Sequence, residues 1–397
     1  MILGLVGKPS SGKSTFFQAI TSIPVPRAPY PFTTIKPNQG IAYVEIECVD
    51  KEFNTKCNPR TGFCINSRRF VPVEILDVAG LVPGAHEGKG LGNKFLDDLR
   101  KADLLIHIVD ASGSTNENGE VVEAGTHNPC LDVKFLEDEL NFWIKGILDD
   151  NWNKLVREGR MKKTEEVLSE QFAGLEISKD SVIKTLKELK LEEQPIENWN
   201  EDEKFSFCRK LREIGKPIII AANKCDKPTA EKNIEKLNEK YPNYLIVPCS
   251  AEAEITLKEA AKKNFISYIP GDSEFKINRE LNEQQKKAMD LLSELIKKYN
   301  GTGAQKLINS AVFDFLKYIA VFPGGVNKLA DSKGNVLPDV FLMKPGSTAL
   351  DFAFALHTDM GRGFIKAINV KSKQPIGKEY ILKHRDVVEI YFKKPLE

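Results

Sequence analysis

The 397-residue sequence lacks any apolar run that approaches the roughly 18 residues needed to span a bilayer. The apolar run at residues 1–6 is too short for a secretory signal and has no basic flank. Internal repeats and low-complexity stretches are also absent, and an apolar fraction of 41 % is ordinary for chains that bury a core. We therefore expect a soluble, cytoplasmic, folded protein with no membrane segment.

A large net charge is also missing. The chain balances 57 basic against 56 acidic residues, so no global field would draw the whole molecule to nucleic acid or to a membrane. Any surface for such a partner must therefore be local.

The seven cysteines are an odd number scattered over a long chain, which fits reduced thiols better than a disulfide framework. Cys57 and Cys64 flank a six-residue segment and could bind a metal together with Cys48. No second close pair at zinc spacing accompanies them, so the sequence leaves metal binding by these cysteines open.

Short apolar runs that end at polar or glycine-containing motifs predict the strands of a parallel sheet. They lie at residues 2–6, 73–76, 104–109, 218–221 and 245–248, and helical spacing follows the first of them. Between about residues 114 and 215, apolar residues recur at helical spacing. We expect this apolar stripe to pack on the sheet domain; the alternative is that the segment forms an arm that binds a partner. From about 334, short strands with turn residues follow.

These patterns predict an α/β fold in which helices flank a sheet domain that carries a helical insertion. The expected domains are residues 1–270 with the insertion at about 114–215, a helical connector at 271–333, and a small C-terminal domain at 334–397.

Residues 7–14 match the phosphate-loop pattern G-x-x-x-x-G-K-[ST] between a predicted strand and a predicted helix. Glycines let the backbone N–H groups and the helix N-terminus face phosphate oxygens. Lys13 supplies a positive charge, and the Ser14 hydroxyl can bind Mg²⁺. This loop predicts that the protein binds a nucleoside triphosphate.

Three further motifs follow predicted strands in the order expected for a GTP site. Asp77 can reach the metal, and Gly80 can meet the γ-phosphate. In the segment 223–226, Asp226 can accept hydrogen bonds from guanine N1–H and the 2-amino group, which adenine cannot supply. Asn223 would hold the base and the loop in position, and the aliphatic part of the Lys224 side chain would cover the guanine ring. A backbone N–H of Ser250 or Ala251 would donate to the guanine O6. The predicted nucleotide contacts are Gly7, Lys8, Pro9, Ser10, Ser11, Gly12, Lys13, Ser14, Thr15, Asp77, Gly80, Asn223, Lys224, Asp226, Ser250 and Ala251.

The sequence resembles the Obg-related branch of P-loop GTPases, in particular its YchF-like members with a guanine-type base box. The resemblance covers nearly the whole chain and is carried by residues 30–38, 77–92, 344–348 and 357–359. It implies that Thr34, with Thr33 as the alternative, is the switch threonine, and that the C-terminal domain is a β-grasp module called TGS. Together with the motifs above, this gives Lys13, Thr34 and Gly80 as the expected catalytic residues and Ser14, Thr34 and Asp77 as the expected Mg²⁺ ligands.

The sequence departs from these relatives in ways that bear on function. Many YchF relatives carry glutamate at the position of Asp226 and prefer ATP, whereas aspartate favours GTP. Ser10 replaces an asparagine that helps to hold potassium in some relatives, which leaves potassium activation open. Leu81 stands where Ras-like enzymes carry a water-orienting glutamine, so backbone groups, His86 or a partner must place the water, and intrinsic turnover should be slow.

The sequence thus predicts a Mg²⁺-dependent GTPase that binds GTP and GDP and acts as a switch with ribosome or RNA. Residues 333–397 hold 11 Lys/Arg against 7 Asp/Glu, and the expected phosphate contacts there are Lys366, Lys371, Lys373 and Lys378. The alternatives are a nucleotide-stabilised RNA-binding module with negligible hydrolysis and an ATPase of the same fold.

Overall fold

The computed structural model describes residues 1–23, 38–78 and 99–393, and these form two compact units. The described residues of the first unit fall within Met1–Ser22, Lys36–Gly40 and Glu74–Leu307. Those of the second fall within Ile23–Ile35, Ile41–Val73 and Ile308–Glu397. Because each unit is assembled from separated stretches, the domain limits expected from the sequence stay a prediction.

A parallel sheet forms the centre of the first unit. The strands of the first half of the chain are β1 (Ile2–Val6), β2 (Gln39–Glu47), β3 (Phe63–Ile65), β4 (Arg68–Asp77) and β5 (Leu104–Asp110), and β6 (Ile218–Asn223) and β7 (Ile246–Pro248) follow. In the first unit, β4, β1, β5, β6 and β7 pair in that order, all parallel. Strands β5 and β6 are buried along their whole length, as expected for apolar strands covered on both faces. Their carboxyl ends therefore meet at one edge of the sheet, where ligands bind.

Helices pack against this sheet and against one another. The helices described up to residue 309 are α1 (Lys13–Thr21), α2 (Pro129–Asp150), α3 (Trp152–Gly159), α4 (Thr164–Phe172), α5 (Lys179–Leu189), α6 (Glu201–Gly215), α7 (Ala230–Lys240), α8 (Ala251–Lys262), α9 (Glu283–Tyr299) and α10 (Ala304–Asn309). Asn128 caps α2, and capping boxes begin α6 and α9. The apolar stripe is buried in one cluster with residues of β1, β4 and β5. It consists of Leu136, Leu140, Trp143, Ile144 and Leu148, and the partly buried Ile147 packs against them. This confirms that the stripe packs on the body.

The second unit contains a mixed sheet. Its strands are β10 (Ile319–Pro323), β11 (Phe341–Met343), β12 (Phe364–Asn369), β13 (Gln374–Ile376) and β14 (Val387–Phe392), in the order β11-β10-β14-β12-β13. Helix α11 (Ala349–Leu356) packs its buried Phe352 into the core of this sheet, and α12 (Thr358–Arg362) follows. His357 Nδ1 accepts a hydrogen bond from Asp359 N at 3.1 Å, so this histidine holds the turn before α12. A separate short pair, β8 (Ile266–Ser267) and β9 (Lys276–Ile277), belongs to the first unit.

The predicted fold class is confirmed: helices flank the parallel sheet, and a separate sheet lies near the C-terminus. Strands β2 and β3 were not predicted. In the described parts of the chain, no helix is long and apolar enough to cross a membrane.

His107 makes the stability of this sheet depend on pH. It lies on β5, pairs in register with Val6 and Ile220, and is 3 % exposed. Burial, and then the charge of Lys8, lower the pKa of His107 to about 3 from 6.5. Between those values the unfolded chain binds the extra proton, so the stability that neutral His107 contributes is present above pH 6.5 and is lost as the pH falls towards 3.

We expect His107→Leu to flatten the pH dependence of the free energy of unfolding by up to about 1.4 kcal/mol per pH unit, the value for one proton. Urea unfolding of wild type and variant at several pH values below 6.5 measures this slope. Ile108→Val, a conservative change in the same buried strand that keeps His107, is the control and should keep the wild-type slope. Equal slopes for wild type and His107→Leu would contradict the prediction.

Candidate nucleotide-binding site

The phosphate loop joins β1 to α1. Its backbone includes positive φ angles and close approaches to neighbouring residues. Ser10 has φ 61° and Gly12 has φ 90°, and a Cβ at Gly12 would lie 2.4 Å from Asn223 Nδ2. A Cβ at Gly7 would lie 2.7 Å from the Ile108 carbonyl oxygen. No side chain caps the start of α1 among the described residues, which leaves the N–H groups of its first turn available to an anion.

The two lysines of this loop have different environments. The Lys8 ammonium is buried, forms an ion pair with Asp132 at 2.9 Å and donates to the Thr115 carbonyl at 2.8 Å. Only the main chain of Lys8 is therefore left for a nucleotide. Lys13 forms an ion pair with the Asp77 carboxylate, and both side chains are partly exposed. The structure thus brings Lys13 and Asp77, two of the expected site residues, together.

The side chains beside Lys13 suit a hard cation such as Mg²⁺. Ser14 and Thr15 lie on the first turn of α1, and Asp77 ends β4. Hydroxyl and carboxylate oxygens are the ligands that Mg²⁺ accepts. The Ser11 hydroxyl is buried and has no hydrogen-bond partner among the described residues, so a polar group of the loop remains for a ligand. Thr34, Gly80, Leu81 and His86 lie outside the described residues.

Asn223 ties the phosphate loop to the loops expected to contact the base. Its Nδ2 donates to the Ser11 carbonyl at 3.1 Å, and its Oδ1 accepts from Ala251 N at 3.2 Å. Asn223 is 2 % exposed, so both bonds are shielded from water. The amide therefore links the phosphate loop to the start of α8. Its bond to Ala251 N occupies one of the two backbone N–H groups, those of Ser250 and Ala251, from which the sequence analysis expected a contact to guanine O6.

The Asp226 carboxylate is held by the neighbouring loop. Its Oδ1 accepts from the Ser250 hydroxyl at 2.8 Å, and its Oδ2 lies 3.2 Å from the Lys227 ammonium. Ser250 also caps α8 by accepting from Ala253 N. The Asp226 side chain is 25 % exposed, which leaves it accessible to a base. This arrangement fixes the orientation of two acceptor oxygens.

Lys224 is positioned by Asp110, which the sequence interpretation missed. Lys224 has φ 62°, and its ammonium donates to the Ser10 carbonyl at 3.1 Å and pairs with Asp110 at 2.9 Å. Asp110 is fully buried and also accepts from the hydroxyls of Ser112, Ser114 and Thr115. Burial raises the pKa of Asp110, but the bonds from Ser112 and Lys224 outweigh it, so the pKa is lowered. A strand-ending aspartate followed by three hydroxyl residues was the available signal.

A second hydrogen-bond network that the sequence analysis missed holds the loop that contains Ser250. The buried Glu254 accepts from the Thr302 hydroxyl at 2.6 Å and the Tyr268 hydroxyl at 2.8 Å, and pairs with Lys258 at 3.1 Å. The Thr302 carbonyl accepts from Ser250 N at 3.0 Å. The network therefore fixes the position of Ser250, and through it that of Asp226.

A cavity of about 760 Å³ adjoins Asp226. Its lining includes Asp226 and Ser250 beside Leu292, Leu295 and Tyr299 of α9. This volume lies within the range of small-molecule sites.

Known families match the chain in three stretches. The family described as 50S ribosome-binding GTPase matches residues 2–133, the Obg-like GTPase YGR210-like, G4 motif-containing domain matches residues 221–325, and the TGS domain matches residues 333–392. These stretches contain the phosphate loop, the base box and most of the C-terminal sheet respectively.

Individual proteins match the chain over nearly its full length. The GTP-binding protein MJ1332 of Methanocaldococcus jannaschii is 49 % identical over 391 residues, 98 % of each chain. The ribosome-binding ATPase YchF of Mycoplasma genitalium is 29 % identical over 98 % of each chain. The crystal structure of a GTP binding protein from Pyrococcus horikoshii has a TM-score of 0.77 and 36 % identity, and the match covers 99 % of this chain and 100 % of that one. The chain therefore belongs to the YchF-like, Obg-related family of P-loop GTPases, with a YGR210-like G4 domain and a C-terminal TGS domain.

Proposed function

We propose that the protein hydrolyses GTP to GDP and phosphate in a Mg²⁺-dependent reaction and acts as a nucleotide-controlled switch. The observation that carries this proposal is the fixed Asp226 carboxylate, held by Ser250 in a loop that Asn223 ties to the phosphate loop. Phosphate and base would therefore be bound by one connected set of loops.

Guanine is the base that this site fits. Guanine N1–H and its 2-amino group both donate, and the two oxygens of Asp226 accept. Adenine presents an acceptor at N1 and no 2-amino group, so binding ATP would leave the carboxylate without its partners. A site built to accept two hydrogen bonds should discriminate strongly, even though relatives named ribosome-binding ATPase belong to the same family.

The roles that we propose for the remaining residues follow from the sequence motifs that contain them. The Lys13 ammonium would leave Asp77 and neutralise phosphate oxygens, and the N–H groups of the first turn of α1 would bind the same group. Ser14 and Asp77, with Thr34, would hold Mg²⁺, which neutralises phosphate charge when bound. We assign Gly80 a backbone contact to the γ-phosphate. The Lys13–Asp77 ion pair supports these assignments because it places a phosphate-binding cation beside a carboxylate that could hold the metal.

The partner that we propose is the ribosome, bound partly through the TGS domain, and the protein would then act in the cytoplasm. Two relatives named ribosome-binding ATPase match 98 % of this chain, at 29 % and 27 % identity. Lys366, Lys373 and Lys378 are exposed, so phosphate groups can reach them, although the Lys378 ammonium also lies 3.9 Å from the Glu379 carboxylate. Lys371 instead forms an ion pair with Glu52 at 2.7 Å, so it would have to exchange this partner to contact RNA.

We expect GTP and GDP to bind at least about 10³-fold more tightly than ATP and ADP, because Asp226 rejects a base without matching donors. Single-turnover hydrolysis of GTP should be slow alone and faster with purified ribosomes. Equilibrium binding of labelled nucleotides and hydrolysis with and without ribosomes measure both. Comparable constants for GTP and ATP would favour the ATPase alternative, and background hydrolysis in both conditions would favour a binding module.

A further inference from the structure

Three cysteines and one aspartate of the second unit converge on one point. The side-chain ligand atoms of Cys48, Asp50, Cys57 and Cys64 all lie within 4.8 Å of one another. In a tetrahedral zinc site with Zn–S bonds of about 2.3 Å, neighbouring ligand atoms are about 3.5–3.8 Å apart. Small side-chain adjustments would therefore bring these four atoms onto one ion.

The main chain around the cluster is fixed independently of any metal. Cys48 N donates to the Ser67 carbonyl at 2.7 Å, and a 3₁₀ turn at Val49–Phe53 follows and ends at Asn54 with φ 47°. Cys64 lies on β3, which pairs with β4 through a tight turn in which residues 66 and 67 both have positive φ. Cys48 and Cys64 thus come from ordered elements, and the site is preorganised.

Asp50 supplies a separate indication of a cation. It is 3 % exposed, and its Oδ2 accepts from Cys57 N at 3.5 Å, a long bond. Its buried Oδ1 accepts no hydrogen bond from the described residues. A buried carboxylate oxygen without a donor costs free energy, which a bound cation would recover.

The surroundings fit a thiophilic divalent cation. Arg69 is fully buried and pairs directly with Cys64 across the β3–β4 ladder, so its positive charge lies near the thiolates. This charge would partly offset the excess of three thiolates and one carboxylate over a divalent ion. Thiolates select zinc over magnesium or calcium, which require oxygen ligands. We propose that Cys48, Asp50, Cys57 and Cys64 form a structural zinc site, whose three thiols lose their protons to solvent as the metal binds.

A metal at this site would stabilise the contact between the loop after Cys57 and residues 336–338 of the second unit. The loop after Cys57 donates from Asn58 N to the Val336 carbonyl at 2.8 Å and from Arg60 N to the Pro338 carbonyl at 2.9 Å. The Arg69 guanidinium donates to the carbonyls of residues 337 and 338. A metal that fixes this loop should therefore raise the melting temperature of the second unit.

The test uses the full chain, purified with reductant and without chelator. Elemental analysis should find about one zinc ion per chain. After removal of the zinc, titration with Co²⁺ should produce thiolate-to-cobalt charge transfer and the visible bands of tetrahedral Co²⁺. Cys57→Ser and Cys64→Ser should lose most of the zinc, and Asp50→Asn should bind it more weakly while keeping the thiolate bands.

Cys208→Ser is the matched control because Cys208 is a buried cysteine in the first unit. It should keep zinc and the cobalt spectrum. The wild-type cobalt titration keeps the proposal testable even if a cysteine variant fails to fold. Absence of both zinc and cobalt bands in reduced wild type would overturn it, as would a disulfide between two of the three cysteines in that preparation.

Discussion

Asp226→Asn is expected to weaken GTP and GDP binding by about 10²-fold or more, because the guanine 2-amino group would then face an amide N–H. Xanthine carries a carbonyl oxygen at that position, so xanthosine diphosphate should bind the variant better than GDP. The fold should remain, because the new amide can keep its carbonyl oxygen towards the Ser250 hydroxyl, which donates to Oδ1 at 2.8 Å in the native protein. Only the partly exposed pair with Lys227 is lost.

Competition binding with the two diphosphates, alongside a thermal melt, measures this change of preference. Asp290→Asn is the control because Asp290 is an exposed aspartate on α9. It makes the same chemical change outside the base loops and should leave both affinities as in wild type. If Asp226→Asn kept its affinity for GDP and gained none for xanthosine diphosphate, Asp226 would not read the base.

The phosphate loop and the base box were predictable because short-range chemistry defines them. Gly12 must be glycine for its φ of 90° and for the close approach of Asn223, so its identity is written into the sequence. The strands β5 and β6 are buried on both faces and appear as continuous apolar runs. Local patterns of this kind can be recognised in a single sequence.

Other features depend on contacts between distant parts of the chain. Lys8 lies inside the phosphate-loop pattern, but its ammonium is directed to Asp132 by a contact across 124 positions. The buried Arg69 donates to carbonyls 268 and 269 positions away. Strand β2 alternates buried and partly exposed residues over part of its length, so its signal was weaker than that of the central strands. Nothing local in the sequence marks these partners.

Lys13→Ala is expected to lower Mg²⁺-dependent GTP hydrolysis by about 10²–10³-fold, the cost of removing one charged group from a developing phosphate charge. The structure adds a complication, because Lys13 is also the ion-pair partner of Asp77. The variant removes the Lys13 ammonium from that carboxylate, and a loss of binding could then come from repulsion between Asp77 and the nucleotide phosphates. The expected stability cost is small, since both side chains are partly exposed.

A double-mutant cycle separates the two explanations. Asp77→Asn removes the carboxylate but keeps the Lys13 charge, so it should weaken the dependence on Mg²⁺ while preserving metal-free GDP binding. If Lys13 acts on phosphate directly, the double variant Lys13→Ala/Asp77→Asn should bind GTP no better than Lys13→Ala, because removing the repulsion cannot replace a missing ammonium. Titration of GTP and GDP with and without Mg²⁺ for the four proteins, with single-turnover rates, gives the comparison. Recovery of near wild-type GTP affinity in the double variant would show that Lys13 serves mainly to neutralise Asp77, and its assignment as the phosphate-binding lysine would then be wrong.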